Sequence, residues 1–176
     1  MKTSAHGNPG TLARKSDPAT EDQSPKVAYS IVIDCTLQLL RLFEGKDLIF
    51  EAPISTSRFG PGFEPGSFKT PTGHFRIHQK IGDGVPIGTV FKNRVPIMES
   101  IDSSITEDLV TSRILWLDGI EVENANTKER FIYIHGTNEE HLIGRPVSHG
   151  CIRMRNNDVI RLYQLVDVDT SVEIRA

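Results

Sequence analysis

From Val27 onward the chain is cut into short runs of β-branched and aromatic residues, most of them stopped by a turn signal before a stable helix could form. That punctuation makes strands the dominant regular element of the chain. Val27–Ile33, Thr36–Phe43 and Asp47–Ile54 read as three strands, separated by Asp34-Cys35 and by Glu44-Gly45-Lys46. Gly73–Lys80 is another, and Thr89–Met98 a further one that Pro96 interrupts. Ile114–Leu117 and Ile120–Val122 flank Asp118-Gly119, residues that both tolerate positive φ, and this predicts a hairpin. Phe131–Ile134 is a nearly continuous apolar run with the character of an interior strand, and Ser171–Arg175 is a final strand. Ser100–Val110 fits no single pattern, although Glu107–Val110 could form a helical turn.

One helix is signposted. Asn156 or Asn157 can cap it, Asp158 suits its electropositive first turn, and Val159, Leu162, Tyr163 and Val166 fall at i, i+3, i+4 and i+7. Ser57–Ser67 is too rich in Gly and Pro for a regular element and reads as a surface loop of a length that often carries function. Residues 1–25 are rich in Ser, Thr, Pro, Gly and charge, and read as a disordered leader before a single domain at residues 26–176. The fold class expected is mostly β, with one or two short helices.

Composition excludes several function classes. Twenty Lys and Arg stand against 23 Asp and Glu, with both signs scattered and no basic stripe, so a nucleic-acid partner is not expected. No run of apolar residues is long enough for a membrane span. No secretory h-region occurs in the first 25 residues, which places the chain as written in the cytoplasm, and in the periplasm if a signal has been trimmed from its N-terminus. Cys35 and Cys151 form no disulfide framework and no C-x-x-C motif.

The chemistry concentrates in one place. Three of the six histidines and one of the two cysteines fall in the 17 residues from His135 to Cys151. His135 follows the apolar run and would be held rigidly at a sheet end. Cys151 precedes the capped helix, where a nearby imidazole or helical amides would lower its pKa and make it a nucleophile. Gly136 and Gly150 would let the backbone approach a substrate closely, and successive N–H groups around Cys151 could receive an oxyanion. Blander readings stand beside this one: Cys151 as a buried small hydrophobe, or a zinc site from His135, His141, His149 and Cys151, whose spacing matches no familiar zinc pattern. Cys35 reads as a buried filler, His141 as solvated, and His74 and His78 as residues of a polar strand face.

His135-Gly136-Thr137, followed by Ser148-His149-Gly150-Cys151-Ile152-Arg153-Met154, Asn156 and Leu162-Tyr163, resembles the catalytic segment of the L,D-transpeptidases of the YkuD type. Upstream, Pro53-Ile54-Ser55-Thr56-Ser57 and Thr70-Pro71-Thr72-Gly73-His74-Phe75 resemble the stretches that precede that motif. The likeness runs from about Val27 to Ile174 and implies a β-sandwich or open barrel with its catalytic groove under a mobile loop. It further implies acyl transfer on peptidoglycan tetrapeptide stems without metal or cofactor. Cys151 would be the nucleophile and His135 the base, with the Gly136 carbonyl orienting the imidazole. His149 and the amides of Gly150 and Cys151 would line the oxyanion site. Ser148, Gly150 and Arg153 would contact substrate, Arg153 anchoring either structure or substrate charge. Partners implied are stem peptides or muropeptides, with carbapenems as inhibitors. If water replaces the acceptor amine, the same chemistry makes an L,D-carboxypeptidase of recycled muropeptides.

Overall fold

Apolar and polar residues alternate in the first strand, β1 (Tyr29–Asp34), so that Ile31 and Ile33 are buried while their neighbours are not. The same period continues through β2 (Leu39–Glu44), β3 (Asp47–Ser55), β4 (Gly73–Ile81) and β10 (Ser171–Arg175). Between them run β5 (Val90–Lys92), β6 (Val95–Ile97), β7 (Val110–Gly119), β8 (Tyr133–Thr137), β9 (Ile152–Met154) and the helix α1 (Asn156–Leu165). A computed structural model describes Met1, residues 28–97 and residues 108–176. The expected leader at residues 1–25, apart from Met1, and the part of Ser100–Val110 before residue 108 lie outside the described residues.

The ten strands of the described residues form one sheet in the order β4-β10-β1-β2-β3-β9-β8-β7-β5-β6, and β4 also pairs with β7. That last pairing closes every strand except the β5–β6 hairpin into a barrel, which removes the free edges an open sheet would expose. Inside lie Ile31, Leu40, Ile54, Ile77, Leu117, Ile134, Met154 and Ile174, with Val159, Leu162 and Tyr163 of α1. Among the described residues the architecture is mostly β with one α-helix and one short 3₁₀ turn (Glu140–Leu142), as the sequence implies.

Several boundaries differ from the sequence expectation. Asp118-Gly119 is not a hairpin turn: β7 runs through both residues, which pair with Arg76 and Phe75 of β4. The Asp118 carboxylate accepts from the Arg76 guanidinium at 2.9 Å, and a Cβ on Gly119 would lie 2.0 Å from the Asn124 carbonyl oxygen. Gly119 is therefore there for close packing. Ile120 and Val122 are exposed and lie beyond the end of β7. Thr89–Met98 is not one strand as far as it is described; it turns back at Asn93-Arg94, both at positive φ, to form the β5–β6 hairpin. Thr36–Gln38 belong to a turn rather than β2, because the Asp34 carboxylate caps the amides of Thr36 and Leu37. Val110 opens β7 instead of ending a helical turn, and Phe131 precedes β8. No helix among the described residues is long and apolar enough to cross a membrane.

Candidate active site

Strands β8 and β9 run parallel, with Ile134 beside Ile152 and His135 beside Arg153. A parallel pair cannot be joined by a tight turn and needs a crossover of about a dozen residues. Residues 138–151 are that crossover. Since Ile134 and Ile152 point into the barrel, alternation sends Tyr133, His135, Cys151 and Arg153 to its outer face. Phe91, Ile114 and Tyr133 form a second, smaller apolar cluster on that face, and Cys151 packs against it.

His135 is buried, and its Nδ1 lies 2.6 Å from the Gly136 carbonyl oxygen. A carbonyl can only accept, so Nδ1 carries the proton and Nε2 holds the lone pair. Burial pushes the imidazole pKa down; Asp108 and the Gly136 carbonyl pull it up, and the Arg153 charge adds to the lowering. The resting ring is thus a neutral base in one tautomer. Gly136 must be glycine, since a Cβ would lie 2.5 Å from Asn156 Oδ1 and 2.7 Å from the Thr111 carbonyl oxygen.

The Cys151 residue is partly exposed, and its sulfur is held between two backbone groups. The Tyr133 N–H donates to Sγ at 3.4 Å, and the thiol donates to the Phe131 carbonyl at 3.4 Å. Burial pushes the thiol up to about 12; the Tyr133 N–H and the Arg130 charge oppose this, and Asp108 reinforces it. This corrects the expectation of a thiol acidified by a helix N-terminus. Strand β9 separates Cys151 from α1, and the first helical amide, on Asn156, donates to Glu140 at 2.7 Å. Beside the sulfur's two backbone partners opens a cleft of about 310 Å³ lined by Phe91, Arg94, Val110, Ile114, Phe131 and Tyr133.

The remaining sequence candidates occupy different places. Ser148 is buried in the turn before Cys151; its hydroxyl donates to the Cys151 carbonyl at 2.6 Å and accepts from the Gly150 N–H at 3.3 Å. Gly150 takes φ +119, and its near neighbours are Ile132 Cδ1 and the carbonyl of Lys69, both 3.3 Å from a Cβ placed there. The close approaches of Gly136 and Gly150 are thus to the protein's own chain. His149 is exposed and meets the rings of Phe59 and Phe68 at 6.2 and 5.8 Å. The Arg153 side chain is 1% exposed and holds Glu139 at 2.8 Å and Asp108 at 3.3 Å, which suits anchoring of structure. His74 is exposed and paired with Glu121, His78 stands edge-on to Trp116, and His141 is exposed. Cys35 packs partly buried against the main core. Among the described residues no group of three or more His, Cys, Asp or Glu is arranged to hold a metal ion.

Asn156, Thr70, Ser57 and Arg130 support the site through contacts that the sequence did not indicate. Asn156 is not the helix cap, a position held by Arg155. Its Nδ2 donates to the Thr137 carbonyl (2.9 Å) and to Glu140 (2.7 Å), while its Oδ1 accepts from the hydroxyls of Thr111 and Ser112. It thereby ties β8, β7 and the crossover together behind Gly136. The Thr70 hydroxyl donates to the Gly150 carbonyl, the Ser57 N–H donates to Thr70, and Arg130 binds the Lys69 and Gly62 carbonyls. The clustering of Ser and Thr in the two upstream stretches was the available signal.

The chain matches the L,D-transpeptidase catalytic domain family (YkuD) over residues 28–174. It is 28% identical over 149 residues to a Bacillus licheniformis protein named L,D-transpeptidase YkuD, an alignment covering 84% of this chain and 66% of that one. Its fold is similar to that of the L,D-transpeptidase LdtMt1 in complex with imipenem (TM-score 0.56, 16% identity, 85% of this chain and 59% of that one). The fold is also similar to L,D-transpeptidase 3 from Mycobacterium tuberculosis in complex with a faropenem-derived adduct (TM-score 0.56, 17% identity, 85% and 61%). The chain spans less than two thirds of the length of each of these. With a family match over most of its length, on a mostly-β barrel that holds the motif's His on β8 and its Cys immediately before the neighbouring β9, the chain belongs to the L,D-transpeptidase family.

Proposed function

We propose that the chain is a cysteine acyltransferase acting on peptidoglycan tetrapeptide stems. The observation that carries this reading is the contact between His135 and the Gly136 carbonyl, which leaves a basic Nε2 on the sheet face that also bears the Cys151 sulfur. The Cys151 thiol passes its proton to Nε2 as sulfur attacks the carbonyl between the third stem residue and the terminal D-Ala. The Cys151 amide and His149 stabilise the oxyanion, with Ser148 holding the turn in shape. The C–N bond then breaks, His135 returns the proton to the departing D-Ala amine, and a thioester remains. An acceptor amine resolves the thioester to a cross-link or an exchanged D-amino acid; water resolves it to a tripeptide.

Burial raises the Cys151 thiol and lowers the His135 imidazole, which favours a neutral resting pair and a proton transfer that accompanies attack. Incubating disaccharide-tetrapeptide with the enzyme and an excess of labelled D-amino acid, followed by mass spectrometry, tests this. Labelled tetrapeptide as main product means that amines win, and tripeptide means an L,D-carboxypeptidase. Either product should be absent with Cys151→Ala. Product formation by that variant, or none by the wild type, would refute the proposal.

A further inference from the structure

The cleft beside Cys151 has apolar walls at Phe91, Val110 and Ile114, yet a guanidinium sits in it. Arg94 occupies the second position of the two-residue β5–β6 turn at φ +67, a conformation uncommon for a residue with a side chain. From there its side chain reaches back over two rings, 4.6 Å from the centre of Trp116 and 5.0 Å from that of Phe131. Its Nη1 donates to the Tyr133 hydroxyl at 3.0 Å. Strand β7, Phe131 two residues ahead of β8, and β8 itself thus all fix the orientation of one cation.

Arg94 is also tied to the nucleophile. Tyr133 holds Arg94 with its hydroxyl and Cys151 Sγ with its backbone N–H. Phe131 lies under the guanidinium, and its carbonyl accepts from the thiol. The cation therefore stands one tyrosine side chain away from the attacking sulfur. A guanidinium whose face lies on aromatic rings presents its N–H edge, which matches the two oxygens of a carboxylate. Among the described residues no carboxylate pairs with Arg94, whereas Arg153 is taken by Asp108 and Glu139, and Arg130, whose charge reaches Cys151, donates to the Gly62 and Lys69 carbonyls.

We propose that Arg94 binds a carboxylate of the acyl donor and makes the enzyme selective for stems that carry one beside the scissile amide. The inference rests on the reading of Cys151 as the acylated nucleophile. Two donor carboxylates lie within a residue of the scissile bond: one on the side chain of a diaminopimelate third residue, the other on the terminal D-Ala. Both offer the same chemistry to a guanidinium.

The test measures kcat and KM on three muropeptides: the native tetrapeptide, one amidated on the third-residue side chain and one amidated on the terminal D-Ala. Wild-type enzyme should lose about 10- to 100-fold in kcat/KM on one of the amidated stems, which identifies the carboxylate. Arg94→Gln should lose a similar factor on the native stem, mainly through KM, and nothing further on that amidated stem. Arg94→Lys should keep part of the preference. Equal losses by Arg94→Gln on all three stems, or no loss on any, would overturn the inference while leaving the acyl-transfer reading intact. Absence of turnover by wild-type enzyme on every stem would instead overturn the acyl-transfer reading and this inference with it.

Discussion

Burial moves Cys151 and His135 in opposite directions, the thiol to about 12 and the imidazole below its usual 6.5. The resting pair is therefore neutral, unlike a preformed thiolate–imidazolium pair. Iodoacetamide should accordingly alkylate Cys151 slowly at neutral pH; labelling as fast as that of an acidified thiol would contradict this. The acid limb of the kcat/KM profile should lie below pH 6.5, because activity falls only once the depressed His135 is protonated. The same shift acts on folding. Between the native and ordinary imidazole pKa values the unfolded chain binds more protons, so stability present above pH 6.5 is lost as pH falls through the native value. A His135→Gln variant should show a flatter dependence of its urea midpoint on pH in that window. Cys151, His135 and Gly136 could be singled out as candidates because they belong to two short motifs. Their protonation states could not be read, since these depend on what the folded chain packs over the sulfur and the ring.

Strand β9, the 3₁₀ turn and α1 are bound to β8 by polar side chains that sequence patterns do not flag. Removing Asn156 strands a carbonyl on Thr137 and hydroxyls on Thr111 and Ser112. Asn156→Ala should therefore cost about 2–3 kcal/mol in urea denaturation. Gly136→Ala should fold with β8 displaced and lower kcat by roughly 100-fold with little change in KM, since misplacing a base spoils the transition state more than binding. Arg153 spans Asp108 and Glu139, which keep 22% and 27% of their side-chain surface. Arg153→Met should cost about 2–4 kcal/mol, somewhat below the loss for breaking a fully buried pair. The helix of residues 156–165 was legible from its apolar spacing, but its cap was misassigned because Asn156 spends its side chain on the crossover. Asp118-Gly119 misled for a related reason: a turn-forming dipeptide was placed inside β7 by its pairing with Phe75 and Arg76 of β4, partners distant in sequence.

The barrel is closed by β4 and β7, and one apolar interior runs from β1 to α1. Mostly-β architecture could be read from the short alternating runs, whereas closure depends on a pairing between segments about 40 residues apart that no local pattern encodes. Leu117 lies at that seam, wholly buried, and Leu117→Ala should cost about 3 kcal/mol while leaving a single unfolding transition. The barrel's outer face at β7, β8 and β9 carries the Cys151 sulfur, the His135 ring and the cleft, and under the proposed function Cys151 is acylated there with His135 as its base. Intact-mass spectrometry after exposure to imipenem, with peptide mapping, tests it most directly. One intact imipenem molecule should add to the wild type, mapped to Cys151. The adduct should be absent from Cys151→Ala and form at least about 100-fold more slowly in His135→Ala. An adduct on another residue, no adduct on enzyme that turns over tetrapeptide, or an unchanged rate without His135 would contradict the account.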